Sequence, residues 1–326
     1  MKLLRYIYVI GVVFCYTLLP SCDVHEFPKE EPDVSLTLSL RYDQNMPLHK
    51  VVTYYGGTRA ADSLSYGLRY IVKVYPIDEN GTTLRTAAYE FVFTKEDERE
   101  LNHTVDLLLK KGKYEFRVWT DYVLENTESD LYYNTQSFDA ITFAGKEYEG
   151  SNDFKDAFVG SLMTSVSEDT PGIVIDMKRP LAKFNIVSTD LSAFISDMKV
   201  RAVGLDELNV LIHYQGFLPD EFNVFSDKPS DSCTGLSFKS DLKILNDNEA
   251  ELGFDYVFVN GAESVIYISV DVLDHNGELL SHFDNVEVPL VRSKLTTIKA
   301  DFLTSESDGG VTIVPDFDGE FNMNVE

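Results

Sequence analysis

Cys22 closes the run Leu18-Leu19-Pro20-Ser21, where an uncharged apolar stretch gives way to an acidic one. A thiol there can accept an acyl chain, pair in a disulfide or serve as a nucleophile. The other cysteines narrow the choice. Cys15 lies inside the apolar stretch, and Cys233 has neither a histidine nor a basic residue next to it. Without a disulfide network, an exported chain of this size must rely on its core. The histidines His25, His49, His103, His213, His275 and His282 are scattered, and no two are spaced four apart as metal ligands on a helix would be. The HExxH, GxSxG, P-loop and dinucleotide-binding patterns are missing. Asp316, Asp318 and Glu320 surround Gly319, but the later glutamate of an EF-hand loop is lacking, and the alternation suits a strand ending in a bulge. With 54 acidic residues, chance carboxylate pairs are expected. No catalytic residue, metal ligand or cofactor is assigned, and the expectation is a protein that is not an enzyme.

Aromatic residues offer a different chemistry. Trp119, the only tryptophan, lies in Tyr114-Glu115-Phe116-Arg117-Val118-Trp119. Strand alternation sends Tyr114, Phe116 and Val118 to one side, and Arg117 and Trp119 to the other. Trp119, Tyr122, Tyr132 and Tyr133 are the candidate ligand-binding aromatics, a platform on which a sugar ring could stack. The alternative is packing beneath a long loop or at a domain junction.

The segment before Cys22 decides its chemistry. Lys2 and Arg5 precede the uncharged run Tyr6 to Leu19, which is shorter than the ~20 residues a membrane-spanning helix needs. A basic start and a short apolar run read as an export signal over residues 1–21. Leu19-Pro20-Ser21-Cys22 resembles a bacterial lipobox. That resemblance implies that Cys22 becomes the first mature residue and carries acyl chains, two or more of which anchor a protein stably to a bilayer. Residues 22–33 then form an acidic, proline-containing tether. Within it Lys29-Glu30-Glu31 resembles a surface-export signal of Bacteroidetes lipoproteins, the alternative being a plain solvated linker.

Charge bounds the partners. The chain carries 28 basic and 54 acidic residues, a net −26; removal of residues 1–21 takes Lys2 and Arg5 and no acid, giving −28. Such a surface repels nucleic acid and anionic lipid, so attachment must come from the acyl chains.

The remaining sequence alternates with period two. Val34, Leu36, Leu38, Leu40 and Tyr42 face one way, and Ser35, Thr37, Ser39 and Arg41 the other. Hairpin turns are expected at Asp78-Glu79-Asn80-Gly81, Lys110-Lys111-Gly112 and Asp274-His275-Asn276-Gly277. Thr94 to Asn102 alone looks helical, with Thr94 as its cap and Asp97 at the third position. Pro180 interrupts the ladder between Ile173–Met177 and Leu181–Ser188. The expectation is all-β: an N-terminal β-sandwich over 34–178 and a C-terminal one over 179–326.

The lipobox, Tyr114 to Tyr122, Arg179 to Leu191 and Val288 to Thr304 resemble, in order, the fimbrial-anchor-type (FimB-like) surface lipoproteins of Bacteroidales. The resemblance implies two transthyretin-like sandwiches, outer-membrane lipid attachment through Cys22 and a cell-surface location. It also implies a fimbrial subunit as partner, held by giving or receiving a strand at a sheet edge. The alternative is a glycan- or protein-binding surface lipoprotein of a nutrient-uptake system. Phe321, Met323 and Val325 alternate near the C-terminus and suit either the domain's own sheet or a partner's. In the loop Tyr54 to Tyr66, Arg59 is a candidate protease site and Asp62-Ser63-Leu64 resembles a Bacteroidetes O-glycosylation tripeptide, on what is by default an exposed loop.

Overall fold

Alternating apolar residues create strands with one dry face, and stacked sheets are the way to bury that face. The computed structural model describes residues 33–42, 66–96, 102–145, 147–201, 204–304, 312–315 and 320–324. Before residue 179 the strands are β1 (Val34–Tyr42), β2 (Tyr66–Pro76), β3 (Tyr89–Glu96), β4 (Asn102–Leu109), β5 (Gly112–Leu124), β6 (Tyr133–Asn134), β7 (Ile141–Phe143), β8 (Ala157–Val166) and β9 (Ile173–Met177). After it come β10 (Leu181–Ser188), β11 (Asn209–Gln215), β12 (Phe217–Asn223), β13 (Lys228–Thr234), β14 (Ser237–Ser240), β15 (Lys243–Ile244) and β16 (Ala250–Phe258). The last are β17 (Glu263–Leu273), β18 (Leu279–Val291), β19 (Leu295–Ala300), β20 (Thr312–Pro315) and β21 (Glu320–Asn324). Among the described residues the helical pieces are α1 (Leu191–Arg201) and two short 3₁₀ turns, Asp153–Lys155 and Leu205–Glu207. The protein is all-β, as expected.

Two sheets, β4-β1-β9 and β3-β2-β5-β8, enclose the first core. In β1 the alternating residues Val34, Leu36, Leu38, Leu40 and Tyr42 point inward, and Leu68, Tyr70, Val72 and Val74 of β2 join the same core. Two other sheets, β15-β16-β10-β19-β21-β20 and β14-β11-β17-β18, enclose a second core that includes Phe184, Ile212, Val270 and Phe283. A third core lies between them. Ile71, Trp119 and Val159 reach it from one side, and Leu181, Phe222 and Phe258 from the other. A small sheet, β13-β12-β7-β6, crosses residue 179: Phe222 and Glu221 of β12 pair with Ile141 and Thr142 of β7.

Two turns take the form their sequences dictate. Asp78 Oδ1 accepts from the amides of Asn80 (2.9 Å) and Thr82 (2.7 Å), and Asp274 Oδ1 from those of Asn276 and Glu278 (both 2.8 Å). Gly81 and Gly277 take the left-handed φ of +82° that closes each turn.

The helix expected from Thr94 needs correction. Thr94 to Glu96 continue β3, with Thr94 opposite Arg69, and Asn102 opens β4; residues 97–101 lie outside the described residues. Pairing with β2 and burial of Phe91 and Phe93 against the first core outweigh a weak local cap. The helix that does form, α1, follows β10 and buries Leu191 and Phe194 on the second core.

Candidate functional site

The short turn Asp153–Lys155, with Asp156 directly after it, places two acids and a lysine where the cores meet. Asn152 caps it, its Oδ1 accepting from the Phe154 amide at 2.9 Å. Lys155 is buried and donates to Asp255 Oδ1 (2.5 Å) and to the Glu149 carbonyl (2.7 Å). The hydroxyls of Tyr148 (2.8 Å) and Tyr214 (2.6 Å) both donate to Asp255 Oδ2. Burial pulls the Lys155 ammonium below its usual pKa, with Asp255 opposing, and burial followed by the Asp255 charge pushes both tyrosines well up. Next to this group, Arg179 grips Asp156 with Nε to Oδ1 and Nη2 to Oδ2, both 2.8 Å, and both side chains are buried. Lys183 pairs with Asp153 at 2.5 Å. These buried and half-buried charges satisfy one another, and each pair joins a residue before 179 to one at or after it.

Above Lys155 opens a cleft of about 390 Å³. Tyr66, Tyr132, Phe143 and Tyr148 wall it, and Glu147, Glu149 and Asp220 stand along it. A second cleft shares Glu147, Tyr148, Glu149 and Leu236 with the first. The Tyr132 hydroxyl donates to that of Tyr66 at 3.5 Å, and Tyr66 stacks on Phe154 at 3.7 Å. Cys233 also lines the cleft, as a free thiol. Burial and the adjacent Asp220 carboxylate push its pKa up to about 11, which keeps it protonated and poorly nucleophilic.

The aromatic platform expected from the sequence is not what the structure builds. Trp119 is fully buried and meets Tyr133 edge-on at 5.3 Å. Tyr133 is likewise buried and its hydroxyl donates to the Lys155 carbonyl, while Tyr122 packs edge-on to Phe154 at 5.4 Å. Trp119 and Tyr133 belong to the third core, which covers the face of β5 opposite the first, and Tyr122 belongs to the first core itself, so these rings serve packing. Tyr132 alone of the four lines the cleft. Cys22, Arg59, Asp62 to Leu64, Asp316 and Asp318 lie outside the described residues.

Sequence reading missed one cluster. His213 on β11 and His282 on β18 flank Asp271 on β17, at 3.3 Å and 2.5 Å from its two oxygens. Cross-strand register brings together residues whose spacing in the chain carries no signal. Among the described residues no group of three His, Cys, Asp or Glu is arranged to hold a metal, and no helix is long and apolar enough to cross a membrane.

The chain belongs to the family of unknown function DUF6562, whose profile matches residues 28–326. No curated protein matches it in sequence. Solved structures similar to it include the fimbrial anchor protein Mfa2 from Porphyromonas gingivalis, at 11% identity over 77% of this chain and 82% of that one, with a TM-score of 0.36. A candidate cell-adhesion protein from Bacteroides uniformis is 12% identical over 92% of this chain and 99% of that one, with a TM-score of 0.41. A candidate polysaccharide-binding protein (DUF1812) from Bacteroides thetaiotaomicron is 10% identical over 77% of this chain and 80% of that one, with a TM-score of 0.45.

Proposed function

We propose that this protein is a lipid-anchored outer-membrane surface protein that acts in adhesion, as an anchor or accessory of a fimbria-like assembly. The observation that carries the reading is the junction Leu19-Pro20-Ser21-Cys22 behind an uncharged run and ahead of an acidic tether. Acylation of Cys22 would hold an anionic β-body that anionic lipid itself repels. The edge of β19 supports strand exchange as the means of engagement. There, among the described residues, β21 pairs in parallel through Thr297 with Glu320, Ile298 with Phe321 and Lys299 with Asn322. A ladder of three rungs leaves little to displace if a partner's strand were to take its place.

Replacing Cys22→Ala tests the anchor. The variant is expected to leave the membrane fraction while staying folded by circular dichroism; retention in that fraction would remove lipid attachment from the reading. Cross-linking at the β19 edge followed by mass spectrometry tests the assembly, and recovery of no filament subunit would count against it. The cleft walled by Tyr132 favours a second reading, capture of a glycan or polypeptide at the cell surface.

A further inference from the structure

The cleft above Lys155 has walls and charge that specify its occupant. Tyr132, Phe143 and Tyr148 give it apolar surface, and its volume falls within the range of pockets that bury small ligands or single side chains. Three carboxylates line it. Glu147 and Glu149 are exposed, Asp220 is half-buried, and none makes an ion pair among the described residues. The Glu149 carboxylate accepts from the Asn152 side chain at 3.4 Å, its backbone carbonyl being the group that Lys155 meets, and Asp220 faces the Cys233 thiol. The cation among the described lining residues, Lys155, is already committed to Asp255 beneath the floor. Among the described residues the site therefore presents three carboxylates outside any ion pair beside apolar rings, on a chain of net charge −26.

We propose that this cleft binds a basic side chain of a partner polypeptide, a lysine or arginine whose methylene stem lies on the rings and whose charged head meets Glu147, Glu149 and Asp220. Long basic side chains bury their stems on apolar surface while their heads stay polar, which matches this division of the cleft. Aromatic faces add attraction for the cation. A neutral sugar would leave the carboxylates without a counter-charge, and an acidic ligand would be repelled. A free amine would gain the charge contacts but could not continue along the adjoining cleft, which shares Glu147, Tyr148 and Glu149. The proposal rests on the reading of this cleft as a capture site and is independent of the lipid anchor.

The test is a titration of the full chain in detergent with a dye-labelled peptide of alternating leucine and lysine, read by fluorescence anisotropy. Parallel titrations use the glutamate version of the peptide, cadaverine and a neutral oligoglucoside. Saturable binding of the lysine peptide alone is expected. It should weaken about tenfold or more when Glu147→Gln, Glu149→Gln and Asp220→Asn are combined. It should also fall as ionic strength rises from about 0.05 M to about 0.5 M. Glu147→Lys, a single change at an exposed position, should by itself weaken binding and guards against a folding defect in the triple variant. Tyr132→Ala should lower affinity without altering the salt dependence. Absent or salt-independent binding of the lysine peptide, affinity unchanged in Glu147→Lys, or preference for cadaverine or the oligoglucoside would each overturn the proposal. A Cys22→Ala chain that binds the peptide normally yet stays with membranes would overturn the anchor while leaving this site intact.

Discussion

Asp227 shows how one side chain ties separate segments together. It accepts from Arg292 Nη2 and Lys178 Nζ, each at 2.7 Å. Burial alone would raise its pKa, but these two cations outweigh burial and hold the carboxyl below its usual range. A depressed carboxylate stabilises the fold above its unfolded pKa, and that contribution is lost as pH falls through the folded value. Asp227→Asn should therefore cost about 1–2 kcal/mol at neutral pH, allowing for partial exposure, and urea unfolding should show the gap to wild type closing below about pH 4. Lys155 is the buried counterpart. Lys155→Met leaves Asp255 charged and unpaired and should cost about 3–5 kcal/mol, whereas adding Asp255→Leu should recover part of that loss in a double-mutant cycle. At this scale sequence had limited reach. Alternation correctly placed Trp119 opposite Phe116 and Val118, but periodicity says which face a residue occupies and not whether another layer covers that face.

Elements were more legible where one face is wet. The β1 pattern reads directly as buried and exposed positions, and the turns at Asp78 and Asp274 announce themselves through their side-chain bonds to following amides. By contrast β2, legible as a strand, is buried almost throughout, and Arg69 and Lys73 within it conceal that both of its faces are covered. Arg69 is tolerated there because its Nε and Nη2 meet the two oxygens of Asp121 at 2.9 Å and 2.7 Å. The pairing of β7 with β12 was hidden for another reason: a two-rung contact between short, distant segments leaves no periodic trace. It makes a prediction of its own. Phe222→Ala should open a cavity in the third core and cost about 3–5 kcal/mol. Hydrogen exchange should then quicken in both β7 and β12, because the lost ring also packs near Trp119 and Phe258.

At the scale of the whole molecule, the buried pairs Lys155–Asp255 and Arg179–Asp156 and the half-buried pair Lys183–Asp153 each join a residue before position 179 to one at or after it. Residues 34–326 cluster as one compact unit by contacts. Calorimetry should accordingly record a single transition, with the fluorescence of Trp119, which samples the shared core, changing together with it. Two resolved transitions would mean that the third core is too weak to couple the other two. The cleft was half legible at this scale: Tyr132 was in the candidate set, but its acidic neighbours come from segments far apart in the chain, and only folding sets Asp220 near Glu147 and Glu149.

The position of β1 has a mechanical consequence. It is the middle strand of its sheet, antiparallel to β4 from Val34 to Arg41 and parallel to β9 from Leu38 to Tyr42. Tension arriving through Asp33 along the strand axis would load both ladders in shear, so that many hydrogen bonds must yield together. Peeling an edge strand would break them one at a time. A pull applied at this strand would therefore meet collective resistance from two ladders at once.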